Sequence, residues 1–249
     1  MIIAGIKPDK KEGFFLRKAR LLPLLLCLLL LMSLSVSAQV QLSGYQDGYQ
    51  YVTFGSYPQG AAGEAAPILW RVLAAQPGQA YLLSHRILDV KRVDGDQRNY
   101  KGWLASELHA WLQTDFLDAA FSQEEQAALL EDAELGRVSL PSADDIKEKA
   151  YGFINDKSRY FYGTDYAFAQ GLYSYTRGKH SPIFTRTIST RAHAHRATKV
   201  DGAIGFIGVE SDDLGLLPVI WLDLNRVQVI SGSGLEADPL ALAPIAEQR

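Results

Sequence analysis

Cysteine is almost missing. Cys27 is the only one in 249 residues, and it sits in an apolar stretch near the start of the chain. Everything after it is without a disulfide, a thiol nucleophile or a thiolate metal ligand. Long apolar runs are scarce too. Leu21 to Met32 is a run of 12 residues, against the roughly 20 that a membrane span needs. Catalytic signatures are as thin. "VISGSG" is not a G-x-S-x-G elbow, no H-E-x-x-H occurs, and "GFIGVE" is too short for a dinucleotide fingerprint. Asp94 with Asp96, and Glu210 with Asp212, are carboxylate pairs without the spacing of an EF-hand loop. A basic excess is also missing, which argues against nucleic acid as a partner.

What is present begins with a leader. "KPDKKEGFFLRKAR" is basic, "LLPLLLCLLLLM" is apolar, and "SLSVSA" ends in small residues, with Val36 and Ala38 suiting signal peptidase. Residues 1–38 read as a secretory signal peptide, with retention as an uncleaved anchor the alternative. Leu26 before Cys27 does not suit a lipid-attachment site. The expected location is therefore periplasmic or extracellular, with no stable membrane span after cleavage. Six Lys/Arg and two Asp/Glu belong to the leader. The remaining 211 residues carry 19 basic and 26 acidic side chains, a net charge of −7. A chain this long buries a sizeable core without disulfide staples.

Strand signals come first. "YQYVTFGSY", "PILWRVLAA" and "QAYLLSHRIL" are rich in β-formers, and "QPG" between the last two predicts a hairpin. Leu104, Leu108, Trp111, Leu112 and Phe116 then recur at helical spacing. Ser122 and Glu125 fit a capping box opening a second helix through Leu130, and Ser142 with Asp145 suggests a third over "ADDIKEKAYGF". "GRVSLP" reads as a short strand. Residues 155–180 are irregular and aromatic. Strands return at "SPIFTRTIS", "AIGFIGVES", "LLPVIWLDL" and "RVQVIS". The order of strands, helices, strands predicts a single α+β domain over 39–234, and the Ala- and Pro-rich 235–249 predicts a flexible tail.

Several fragments occur in a characteristic order: "FGSYPQ", "PILWRVL", "AYLLSHRILD", "GWLASELHAWLQTDFLDAAFSQEEQ" and "RVSLPSADDI". They resemble a bacterial family called domain of unknown function 6273, over roughly residues 50–224. "FTRT", "DGAIGFIG" and "GLLPVIWLDL" follow that family's pattern more loosely. Leu217 stands where the family has an arginine, Ile183 and Phe184 replace a tryptophan-led pair, and Arg186 is the basic residue that carries over. The resemblance implies a C-type-lectin-like fold akin to the formylglycine-generating-enzyme branch. Its sheet is mixed or antiparallel, formed from N- and C-terminal strands, with two to three helices and long loops between. It implies no activity. No cysteine for formylglycine chemistry remains after the leader, and the calcium motifs "EPN", "QPD" and "WND" of sugar-binding lectins are absent from the sequence.

"TRAHAHRATK", residues 190–199, carries the most pointed chemistry. On a strand, His193 and His195 share a face and could chelate a metal; no other cofactor is expected. Arg196 and Lys199 stand where further ligands would be needed. Arg186, Arg191, Arg196 and Lys199 could instead hold an anion. An aromatic belt precedes them: Tyr151, Phe153, Tyr160, Phe161, Tyr162, Tyr166, Phe168, Tyr173 and Tyr175. Such rings either pack loops onto the sheet or present a ligand surface. The expectation is a non-catalytic, exported recognition domain for a cell-envelope glycan or protein. Its candidate contacts are Arg186, Arg191, His193, His195, Arg196, Tyr162, Tyr166, Tyr173 and Tyr175. The alternatives are an envelope metalloprotein or enzyme using His193 and His195 with Arg186, and a structural module of an envelope assembly.

Overall fold

A computed structural model describes residues 39–133, 135–175, 180–189 and 194–246. Among these residues thirteen strands run in chain order. They are β1 (Tyr51–Pro58), β2 (Ala65–Gln76), β3 (Gln79–Ser84), β4 (Asp89–Val90), β5 (Phe161–Tyr162), β6 (His180–Ser181) and β7 (Phe184–Ile188). The rest are β8 (Ala194–Thr198), β9 (Ile204–Gly208), β10 (Gly215–Leu216), β11 (Val219–Asp223), β12 (Val227–Ser231) and β13 (Leu240–Pro244). Three short helices join them: α1 over 107–120, α2 (Gln123–Ala127) and α3 (Asp165–Ala169). This is a mixed α+β architecture dominated by strands. No helix among the described residues is long and apolar enough to cross a membrane.

The main sheet has six strands in the order β11-β3-β2-β1-β13-β12. Every neighbouring pair is antiparallel except β1 with β13, which run parallel and join the two ends of the described chain. The β2–β3 hairpin closes at Gln76 opposite Gln79, with Gly78 at φ 82°, a left-handed conformation that a side chain would strain. Alternation along the strands fills two cores. Val52, Phe54, Trp70, Leu82, Ile220 and Leu222 face one side with Leu108, Leu112 and Phe116 of α1. Leu73, Tyr81, Leu83 and Val219 face the other with Ile146, Phe153 and Phe161. The sheet is thus covered on both faces, which is why β3 buries nearly every residue.

Local signals explain where the helices start. Ser106 caps α1 by accepting from the His109 amide at 3.1 Å. Leu104 therefore precedes the helix, in a 3₁₀ turn, and is 57% exposed rather than part of the apolar face. α1 widens into a π-helical turn at Leu112–Phe116. The Ser122–Glu125 capping box forms as expected and opens α2. Ser142 and Asp145 also bond reciprocally, but they start only a 3₁₀ turn at Asp145–Lys147, followed by another at Lys149–Tyr151.

The expected flexible tail needs correction. Leu240–Pro244 of the segment 235–249 form β13, seated between β1 and β12. The domain therefore runs past residue 234. Pro244 sits at the end of the strand, opposite Val227, where a missing amide costs the ladder least.

Candidate functional site

A small three-stranded sheet, β7-β8-β9, carries the stretch that the sequence singles out. β8 is its central strand, with Ala194 opposite Gly208 and Thr198 opposite Ile204. Arg191 and His193 lie outside the described residues. His195 is fully buried, and both ring nitrogens are engaged. Nδ1 lies 2.8 Å from the Thr185 carbonyl. A carbonyl only accepts, so Nδ1 carries the proton, and Nε2 accepts from the Tyr100 hydroxyl. Burial holds the imidazole below its ordinary pKa, which keeps it neutral. Burial, with Asp94 adding to it, pushes the Tyr100 phenol up to about 12. This arrangement ties the loop before α1 to the sheet. His195 is part of the interior and not of the loop surface, and it has no free lone pair for a metal.

Arg186 is likewise committed. Its Nη1 donates to Asp145 Oδ2 at 3.0 Å and to the Leu140 carbonyl at 2.7 Å. Arg196 is half-buried on β8, directly across the strand pair from Phe206. No group of three or more His, Cys, Asp or Glu suited to a metal occurs among the described residues.

The aromatic belt divides. Phe153 and Phe161 are core. Tyr160 stacks on His180 at 4.0 Å between ring centroids. Tyr166 is half-buried, edge-on to Tyr57 at 6.0 Å, and Tyr162 lies under the Arg86 guanidinium at 5.7 Å. Tyr162, Phe168, Tyr173 and Tyr175 are exposed. Of the candidate tyrosines, Tyr173 lines a cavity. It stands over a cleft of about 290 Å³ whose floor is Ala197, Ile207 and Leu214. Phe206, Lys199 and Asp213 also line it. Tyr173 and Phe206 are 46% and 43% exposed beside this apolar hollow.

Backbone bonds hold the cleft in shape. The Tyr173 amide donates to the Asp213 carbonyl at 2.9 Å, and the Thr198 amide donates to the Ile183 carbonyl at 3.0 Å. A turn returns the chain from β8 to β9, with Lys199 N to Ala203 O at 2.8 Å and Gly202 N to Lys199 O at 3.0 Å. Gly202 has φ 79°, and a Cβ there would meet the Asp156 carbonyl, so only glycine fits. Phe206, Asp213 and Leu214 are absent from the sequence-derived candidates. The available signal was the alternation of "AIGFIGVES", which puts Ile204 and Phe206 on one face without saying which face is wet.

A second polar cluster lies on the main sheet. His85 Nδ1 accepts from Arg71 Nε at 3.0 Å, so Nε2 bears the proton and faces Glu236 Oε1 at 3.2 Å. Burial, then the Arg71 charge, hold the His85 pKa down at about 4, against the opposing pull of Glu236. Between pH 4 and the ordinary 6.5, the unfolded chain binds a proton that the folded chain refuses. Stability contributed by neutral His85 is complete above that window and is lost as pH falls through it. Denaturant unfolding between pH 4 and 7 should show stability rising with pH, with a flatter rise in His85→Gln. An unchanged slope would remove His85 from the account.

The fold and its sites define a mixed α+β domain with a small cleft lined by Tyr173 and Phe206. Residues 77–223, more than half of the chain, match the family described as Domain of unknown function (DUF6273), and the chain belongs to that family. No curated protein and no solved structure matches it. The matched span takes in the cleft, His195 and Arg186. β1, β2, β12, β13 and Glu236 fall outside it.

Proposed function

We propose that this chain is an exported, non-catalytic recognition domain of C-type-lectin-like fold that binds a cell-envelope glycan. The observation that carries the reading is the cleft between Tyr173 and Phe206. Its volume of about 290 Å³ is at the low end of ligand sites, which run from roughly 300 to 1,000 Å³. That suits a single sugar ring better than an extended substrate. Pyranose rings have an apolar face that packs on aromatic side chains, and hydroxyls that need polar partners at the edge. Tyr173 and Phe206 offer the first, and Lys199 and Asp213 the second. Export rests on the leader at 1–38.

Protein purified from cells expressing the full chain should bind on an array of envelope glycans. Tyr173→Ala and Phe206→Ala should each weaken binding about tenfold, the scale of one lost ring contact. Their melting temperatures should fall by only a few degrees, since close to half of each residue already faces water. A folded sample that binds no glycan, or mutants that bind as well as the parent, would overturn the reading.

The edge strand β12 favours a second reading, as a module in an envelope assembly. Val229 and Ile230 are 43% and 61% exposed there, and no charged residue occurs from 227 to 235. An apolar, uncharged sheet edge is a template for a partner's strand. Crosslinking in cells from position 229 would capture one dominant protein if this reading holds.

A further inference from the structure

Resting on the glycan reading, we infer that the cleft selects acidic sugars, and that Lys199 is the residue that does so by receiving a hexuronate carboxylate. The cleft's lip holds one cation and one anion of different standing. Asp213 is half-buried, and its Oδ1 accepts from the Ser211 hydroxyl at 3.1 Å. Lys199 is exposed and has no ion pair among the described residues. Arg186, Arg159, Arg226 and Lys147, by contrast, each have a carboxylate partner. Residues 39–249 carry a net charge of −7, and in the cleft the Lys199 ammonium is the cation available to an anionic group.

The ammonium is also positioned. The Lys199 backbone is fixed by both bonds of the turn into β9. Its side chain then crosses directly over Gly205, where an added Cβ would come within 2.7 Å of Lys199 Cε. The missing side chain at 205 is the track in which the lysine stem lies. An apolar stem resting on the sheet with its charged end at the cleft is the arrangement that long basic side chains adopt at a boundary. A hexuronate residue fits all three features. Its ring face packs on Tyr173 and Phe206, its hydroxyls donate to Asp213, and its carboxylate accepts a charge-assisted bond from Lys199. A neutral hexose satisfies the first two only.

Calorimetric titration of protein purified from cells expressing the full chain tests this, with an oligohexuronate and the neutral oligohexose of the same linkage as probes. The hexuronate should bind about tenfold tighter, the scale of one charge-assisted bond, and the margin should shrink as salt is raised. Lys199→Gln should abolish the margin, weakening the hexuronate by about tenfold more than the neutral sugar, which loses only a hydroxyl contact there. Gly205→Ala should narrow it severalfold by pushing the stem aside, while the aromatic lips stay in place. Equal binding of the two probes, or a margin that survives Lys199→Gln, overturns the selectivity and leaves glycan recognition standing. Binding of neither probe by folded protein overturns both.

Discussion

Trp70→Ala should produce the largest loss of stability of any single substitution here, about 3–5 kcal/mol. Trp70 is fully buried. Its ring stacks against Phe121 at 6.3 Å between centroids, which joins the sheet to the end of α1. Its Nε1 donates to the Phe54 carbonyl at 2.8 Å, and this bond reaches across from β2 to β1. Alanine removes the packing, leaves a cavity that the sheet cannot close, and orphans the carbonyl. Thermal unfolding should show a fall of roughly 10 °C in Tm. Trp70→Phe separates the contributions: it restores most of the volume and loses only the hydrogen bond, at about 1–2 kcal/mol. If Trp70→Phe proved as damaging as Trp70→Ala, the hydrogen bond and not the packing would hold the two strands together.

Asp145→Ala should cost about 3 kcal/mol, the scale for removing one partner of a largely buried ion pair. One carboxylate oxygen gathers three donors: the Tyr81 hydroxyl at 3.0 Å, the Ser142 amide at 2.7 Å and Arg186 Nη1 at 3.0 Å. Burial first, then the Asp145 charge, raise the Tyr81 phenol far above its ordinary pKa, so it stays a donor at any working pH. Without Asp145 the guanidinium keeps only the Leu140 carbonyl. The double substitution Asp145→Ala with Arg186→Met should recover part of the loss, because no uncompensated charge remains. Chemical denaturation of the four proteins in this cycle measures the coupling. Strict additivity would mean that the two side chains act independently, and would reopen Arg186 as a ligand contact.

The sequence is most readable where its signal is local. The capping box needs only Ser122 and Glu125, three positions apart, and it forms. The β2–β3 hairpin needs only "QPG" between two β-rich runs, and Gly78 turns it. The N-terminal strands share one sheet, as their composition indicates. Leu104 shows where a local signal misleads, since helical spacing marks a face but not the point at which Ser106 begins the helix. β13 shows the opposite case. "LALAP" is a poor strand former, yet β1 and β12 leave a gap with backbone groups on both sides, and the segment fills it.

The site follows the same division. That the body lacks thiols, carries net negative charge and places rings and cations between 151 and 199 is written in its composition and order. Which of those groups meet water is not. His195 has the same neighbours in sequence whether exposed or buried, and Tyr100, the residue that takes its Nε2, is 95 positions away. Arg186 lost its freedom to an aspartate 41 positions earlier, while Lys199, its stem lying over Gly205, has no ion pair among the described residues. A side chain's capacity for charge and hydrogen bonds is a property of the residue. Whether that capacity is spent inside the protein or left for a ligand depends on partners that only the folded chain brings within reach.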